Sequence, residues 1–238
     1  MNGEKMKKIA VFSDIHGNIE ALDAVLKDIE SYKVDQMVCL GDLVGYLPFP
    51  NEVCETIQSL DIPVIMGNYD QGVGFELDDC GCAYPSEEER KMGDISLRWT
   101  QSQISPRNKL YLRSLLSQHS MEIDGKNLLF VHGSPRKINE YLFEDRAESS
   151  ILRMFPEGFP ELVACGHTHK PYIRKVGSMT LLNDGSVGRP KDGIPGFSWA
   201  LIELNEADIQ CSIRRVLCEL PLLKQHFPTT SLPLAFML

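Results

Sequence analysis

Five short apolar runs punctuate the chain: Ile9-Ala10-Val11-Phe12, Met37-Val38-Cys39-Leu40, Val64-Ile65-Met66, Leu128-Leu129-Phe130-Val131 and Leu162-Val163-Ala164-Cys165. Runs of this length bounded by turn residues read as buried strands. Between the first three, apolar residues return at helical spacing. Leu22, Val25, Leu26 and Ile29 define one face of a helix over residues 19–31, and Val53, Ile57 and Leu60 mark a second helix starting near Pro50. Proline suits a first helical turn. Strand, helix, strand, helix, strand over residues 7–70 predicts parallel pairing with right-handed crossovers.

The pattern changes over residues 71–118. A glycine-rich acidic loop over 71–82 leads to Ser86 and Glu89, the spacing of a capping box, which opens a helix to about residue 103. Ser105-Pro106 starts another, carrying Leu110, Leu112, Leu115 and Leu116. This insert is expected to cover the functional site, because it follows directly on the third apolar run. Beyond residue 120 short strands dominate, with Asp124-Gly125 as a hairpin turn. A helical pattern covers 144–155, and four further strands, largely antiparallel, are expected over 172–176, 179–182, 197–204 and 209–216. The stretch 221–238 holds three prolines and no clear period, as a packed tail or a partner contact does. There is no internal repeat.

At 238 residues and 43% hydrophobic, the chain is long enough for a full core, and one α/β domain over 1–238 is expected. Its net charge of −9 repels long polyanions, which argues against extended nucleic acid as a partner. A small phosphorylated substrate is compatible with it, because bound cations invert the local sign. No segment has the ~20 apolar residues of a membrane span, and the polar stretch 1–8 lacks a signal peptide's apolar core. A soluble cytoplasmic protein is the expectation, with the oligomeric state open. Of seven cysteines, Cys39, Cys54 and Cys165 sit in apolar or helical patterns, while Cys80 and Cys82 form the one close pair. A loop turn with partly exposed thiols explains that pair better than a second metal or redox site.

The chemistry lies just after the apolar runs. Asp14 and His16 follow the first, Asp42 the second, Asn68 the third, His132 the fourth, and His167 and His169 the fifth. Ligands of open α/β sheets collect beyond the carboxyl ends of the strands, so these residues are expected at one edge of one sheet. A lone Asp or His after a strand is more often a cap, but four of the six histidines fall in this set. Seven ligands exceed the needs of one ion, so two are implied, a pair that one carboxylate can bridge. Mixed imidazole and carboxylate donors favour Mn, Fe, Zn, Co or Ni over Ca or Mg.

The ordered set Asp14-x-His16, Gly41-Asp42, Gly67-Asn68-x-Asp70, His132-Gly133 and Gly166-His167-x-His169 resembles the calcineurin-like metallophosphoesterase superfamily over nearly the whole chain. The resemblance implies two packed mixed β-sheets flanked by helices. It assigns one metal to Asp14, His16 and His169, the other to Asn68, His132 and His167, and the bridge to Asp42. The segments Ser13-Asp14-Ile15-His16-Gly17-Asn18, Gly41-Asp42-Leu43-Val44-Gly45-Tyr46 and Asn183-x-Gly185-Ser186-Val187-Gly188 look like its small prokaryotic phosphodiesterase branch. The Asp-Arg-Gly of the protein phosphatase branch is replaced by Val44-Gly45-Tyr46, which argues against that activity. Where the family has a histidine as general acid, this chain has Tyr69. With a free pKa of ~10, tyrosine is a poor match for proton transfer at neutral pH. It is left to donate a hydrogen bond to the leaving oxygen, to stack on a ring, or to serve a substrate that needs no acid.

The expected activity is two-metal hydrolysis of a phosphoester by in-line attack of water on phosphorus, most simply of a small phosphodiester or nucleotide. The catalytic candidates are Asn68, Tyr69 and Asp70, the last either orienting Tyr69 or capping a turn. Asn18 and Arg189 are candidates for holding substrate, with Lys191 and Tyr46 weaker ones. His119, His226, Asp78 and Asp79 read as surface positions. Two alternatives stand beside this reading: a metal-bound interaction module with decayed catalysis, and a phosphomonoesterase or dinucleotide polyphosphate hydrolase on the same scaffold.

Overall fold

The computed structural model describes residues 6–84, 86–156 and 158–237. Residues 1–5, most of the polar N-terminal stretch noted above, lie outside the described residues. Strands β1 (Lys7–Phe12) and β2 (Gln36–Cys39) flank helix α1 (Ile19–Tyr32), and α2 (Pro50–Ser59) and α3 (Asn68–Gly74) follow. Next come α4 (Glu87–Gln103), α5 (Pro106–Arg113), the hairpin β3 (His119–Ile123) and β4 (Lys126–Phe130), then α6 (Glu148–Leu152) and β5 (Leu162–Cys165). The chain ends through β6 (Tyr172–Val176), β7 (Met179–Asn183), β8 (Phe197–Leu204), β9 (Ile209–Val216) and α7 (Pro221–His226).

These strands form two mixed sheets, in the orders β2-β1-β8-β9 and β3-β4-β5-β7-β6. In the first, β1 pairs parallel with β2 and antiparallel with β8. In the second, β4, β5 and β7 run parallel, with β3 and β6 antiparallel at the edges. Ile9, Val11, Val38 and Ile202 of the first sheet pack against Phe130, Leu162, Ala164 and Leu182 of the second. Strands buried on both faces carry near-continuous apolar runs, as β1 and β5 do. The outer face of the first sheet is covered by Leu22, Val25 and Ile29 of α1 and by Val53 and Ile57 of α2. The outer face of the second is covered by Leu142, Ile151 and Met154.

Several sequence expectations are corrected. The ligand-bearing loops do not leave one sheet. Those of β1 and β2 belong to the first, those of β4 and β5 to the second, and the site lies where the two sheets' carboxyl ends meet. The run Val64-Ile65-Met66 makes only single bridges, Cys39 to Val64 and Ile65 to Leu116, because its neighbours change from one residue to the next. The helix expected over 144–155 shrinks to α6, since Arg146 fixes the preceding segment as a turn by bonding the Tyr141 carbonyl and Glu140. Leu110 faces solvent at 63% exposure, so the inward face of α5 rests on Leu112. His119 is half-buried against the Phe130 ring.

The C-terminal segment is packed. Both carboxylate oxygens of Glu20 on α1 accept the free amides of Leu222 and Leu223 at the start of α7. Phe227, Leu232 and Phe236 then return to the outer core, with Phe236 set edge-on against Tyr46.

Candidate metal centre

The loops after β1 and β2 are laced together. Asp14 donates its amide to the Gly41 carbonyl, and Ile15 and His16 donate theirs to the Asp42 carbonyl. The turns are tight enough that Asp14, His16, Asp42, His167 and His169 all take left-handed backbone conformations, with φ between 51° and 64°. Such values are uncommon outside glycine and concentrate at functional sites. Close approach also fixes Gly67, where a Cβ would stand 2.1 Å from Asp42 Oδ1 and 2.2 Å from its amide nitrogen.

These constraints bring all seven predicted ligands into one buried cluster. Asp14, His16 and His169 form one triad and Asp42, His132 and His167 another, the donor atoms within each lying inside 4.8 Å of one another. Asp42 Oδ2 stands between them, 3.7 Å from His16 Nε2 and 3.5 Å from His132 Nε2. Asn68 joins the second triad, its Oδ1 at 3.2 Å from His132 Nε2.

Each donor is prepared from behind. The Nδ1 atoms of His16, His132 and His169 face the carbonyls of Val44, Leu40 and Arg189 at 2.9, 2.7 and 2.7 Å. Those acceptors require the proton on Nδ1 and leave the Nε2 lone pair toward the cluster. Asp14 Oδ2 accepts from Ser13 Oγ and the His167 amide, while Oδ1 is buried without a hydrogen-bond donor. Asp42 Oδ1 accepts the Tyr69 amide at 2.8 Å, which leaves Oδ2 for the site. The Asn68 amide nitrogen donates to the Cys80 carbonyl and to Cys82 Sγ, both at 3.1 Å, and so turns Oδ1 inward. His167 Nε2 is buried with no partner. Unpartnered buried acceptors are rare and call for a missing occupant. The His16 and His169 Nε2 lone pairs, 3.2 Å apart, repel unless a cation separates them. The residues therefore fit two divalent ions.

The electrostatics of the cluster agree. Burial opposes charge on Asp14 and Asp42, yet the surrounding imidazoles hold both carboxyls below the usual range. Burial drives His16 and His167 down to about 3, which keeps their lone pairs free, whereas Asp42 overcomes burial at His132 and carries it up to about 10, so a cation would have to displace the proton on His132 Nε2. Asp184, which the sequence reading passed over, is a buried carboxyl behind Ser13 and is pushed well up by burial and by Asp14.

The remaining candidates divide. Asp70 does not reach the cavity. Its carboxylate accepts the amides of Gly67, Asp42 and Leu43 at 2.9, 2.8 and 2.9 Å, tying the second and third ligand loops together. Asn18 caps α1 through the Ala21 amide and donates to the Gly188 carbonyl, away from the cavity lining. Tyr69 and Arg189 do line the cavity, with Lys191 and Tyr46. The Tyr69 hydroxyl lies 3.4 Å from that of Tyr84, and burial raises it well above the ordinary tyrosine range. Arg189 is stacked over the Tyr46 ring at 4.1 Å. The cavity encloses about 860 Å³ and is closed on one side by Cys82, Tyr84 and Met92 of the insert. Sequence reasoning missed Tyr141, whose ring stacks on His167 at 4.0 Å from an aperiodic loop, and Phe236 from the tail.

The wider comparisons agree with this architecture. A model of the calcineurin-like phosphoesterase superfamily domain matches residues 6–207. An uncharacterized protein of Methanocaldococcus jannaschii is 36% identical over 226 residues, spanning 87% of this chain and 86% of its own. The crystal structure of a metallophosphoesterase from Sphaerobacter thermophilus aligns with a TM-score of 0.74 at 28% identity, covering 97% of this chain and 96% of that one. A hypothetical protein from Pyrococcus horikoshii shares the fold with a TM-score of 0.81 at 23% identity, covering 98% and 96%.

Proposed function

The chain belongs to the calcineurin-like phosphoesterase superfamily and is a metal-dependent hydrolase of phosphoester bonds, and on that premise we propose that it is a two-metal phosphodiesterase for a small phosphodiester or nucleotide. The observation that carries this reading is the pair of buried triads with Asp42 Oδ2 between them. Asp14, His16 and His169 would hold one ion, and Asn68, His132 and His167 the other, with Asp42 placed to serve either. The donor set suits Mn, Fe, Zn, Ni or Co. Ions bound there supply the positive charge that acidifies the attacking water and neutralises phosphate oxygens.

The side chains do the positioning. Three histidines are held by carbonyls in the tautomer that presents Nε2, and two carboxylates each have one oxygen tied and one presented. Asp70 acts through the ligand loops and not on substrate. Tyr69, kept protonated by burial, donates a hydrogen bond at the leaving oxygen but does not surrender its proton. The acidic surface favours a small substrate over extended nucleic acid. Seven unbridged thiols suit a reducing, cytoplasmic setting.

The test is hydrolysis of bis-(p-nitrophenyl) phosphate and p-nitrophenyl phosphate by metal-stripped protein, with Mn, Ni, Zn, Fe(II) and Mg restored singly and Asp42→Asn as control. Metal-requiring turnover of the diester, lost in the control, is the expected result. Turnover of the monoester alone overturns the diester assignment. Two bound metals with no turnover favour the interaction-module reading that Tyr69 motivates.

A further inference from the structure

The fold changes the character of the paired thiols in the acidic loop. Cys80 is buried at 7% exposure and Cys82 is half-buried, so the pair is less open than a surface turn would leave it. Their sulfurs stand 3.2 Å apart. Among the described residues no other pair of thiols is in contact.

The turn between them is fixed from both sides. Gly81 takes a left-handed φ of 71°, donates its amide to Asp79 Oδ1 at 2.5 Å, and accepts from Asn139 Nδ2 at 2.8 Å through its carbonyl. A Cβ at this position would stand 2.4 Å from the same Asn139 nitrogen. Glycine is therefore required here, and the two thiols are held together by backbone rather than by chance rotamers. Cys82 lines the cavity, and Cys80 lies beside it within 3.4 Å of the Tyr84 hydroxyl. A small oxidant entering the cavity meets one sulfur with a second in contact, the arrangement of an attacking and a resolving cysteine.

A second observation ties this turn to the metal centre. Asn68 Nδ2 donates to the Cys80 carbonyl and to Cys82 Sγ, both at 3.1 Å. Both hydrogens of that amide are thus spent on the Cys80–Cys82 turn. They set the direction of Oδ1, which stands 3.2 Å from His132 Nε2 in the second triad.

Taken with the two-metal reading on which this rests, the geometry points to Cys80 and Cys82 as a reversible disulfide-forming site that controls the metal position served by Asn68. The oxidant is hydrogen peroxide. One sulfur attacks a peroxide oxygen, the O–O bond breaks, and a sulfenic acid and one water form. The second sulfur attacks the first, the S–O bond breaks, and the hydroxyl leaves with the remaining thiol proton as a second water. Two thiols and one peroxide give one disulfide and two waters; sulfur is oxidised and oxygen reduced. A disulfide is only about 2.05 Å long, so closing it draws Cys82 Sγ toward Cys80 and away from Asn68. The ring that closes includes the carbonyl carbon of Cys80, so the other acceptor turns with it. Asn68 Oδ1 then loses its aim. A ring spanning one intervening residue is strained, and strained disulfides are the ones that cellular thiols reopen.

The experiment treats the reduced, metal-stripped full chain with hydrogen peroxide, removes the excess with catalase, maps disulfides by peptide mass spectrometry and titrates manganese by calorimetry. A Cys80–Cys82 linkage is expected, with affinity at one of the two manganese sites about 10- to 100-fold weaker, the range for a group that orients a ligand. Dithiothreitol is expected to restore it. Cys80→Ser cannot form the bond but keeps Cys82 Sγ and the residue 80 carbonyl as acceptors, so peroxide is expected to leave its manganese affinities where they were. No linkage in wild type, a linkage that leaves both affinities unchanged, or an equal loss in Cys80→Ser overturns this inference and leaves the phosphodiesterase reading intact. Failure of the reduced protein to bind a second manganese ion overturns the two-metal reading as well.

Discussion

The backbone amide of Tyr69 donates to Asp42 Oδ1 at 2.8 Å, so the residue that departs from the family's acid still holds the carboxylate between the two triads. Its main chain and side chain therefore have separable duties, and a substitution at this position touches only the second. Tyr69→His is expected to leave metal affinity unchanged and to raise turnover of alkyl phosphodiesters relative to aryl ones by about a hundredfold, the low end for a restored acid. Rates measured across a series of leaving groups decide the matter. A slope identical in variant and wild type would remove the missing-acid argument.

Asp70 gathers the amides of Gly67, Asp42 and Leu43 on one buried carboxylate. Asp70→Ala leaves three donors without acceptors, each costing about 1–3 kcal/mol when buried. Urea denaturation is expected to show a loss of several kcal/mol, together with weaker metal binding by both triads. Full stability with only a kinetic defect would instead place Asp70 in the chemistry.

Cys82 Sγ is one of two acceptors that orient the Asn68 amide. Groups that orient metal ligands are worth about 10- to 100-fold in affinity. Metal titration of Cys82→Ala is expected to show a loss in that range at one of the two sites, and Cys82→Ser, which keeps an acceptor, a smaller one. Equal losses at both sites, or none, would contradict the role.

Glu140 gives the protein an acid limb. Burial opposes its charge, but Arg136, Ser134 and Arg146 donate to it and bring its carboxyl down to about 2. The folded value lies below the unfolded one of about 4.3. Its stabilisation is therefore complete above about pH 4.3 and is lost as pH falls toward about 2. Urea midpoints measured at about pH 6 and about pH 3 are expected to converge in Glu140→Gln relative to wild type. A parallel decline in both proteins would exclude the contribution. The loop involved carries Tyr141, so acid should also loosen the ring stacked on His167.

Local pattern was enough to read β5, β8 and β9 to their ends: β5 is buried throughout and leaves unbroken apolar text that candidate ligands follow directly, whereas β9, with no fully buried residue, shows as apolar and polar residues in near alternation. The division of those strands between two sheets was not readable from periodicity, since a strand buried in either sheet looks the same. It entered only through the family resemblance. Val64-Ile65-Met66 has the composition of a strand but lacks a continuous neighbour, a fact of the tertiary structure alone. Tyr141 reaches His167 from an irregular loop, and Asp184 gains its character from burial behind Ser13, and neither has a signature along the chain. Asp70 was read as orienting Tyr69 or capping a turn; it does cap α3 through the Gly67 amide, while its hold on amides 27 and 28 positions away has no signature along the chain.

The left-handed backbone at Asp14, His16, Asp42, His167 and His169 makes loss of activity a directional event in evolution. Asn68 and His132 are not among the residues with positive φ. A lineage that ceased to need the metals would gain backbone relief by drifting to glycine or asparagine at the five strained positions, residues that tolerate this conformation. At the other two it would gain no such relief and would drift without bias. Descendants that have retired from catalysis should therefore be recognisable by which ligands they lost and what replaced them, before any assay is run.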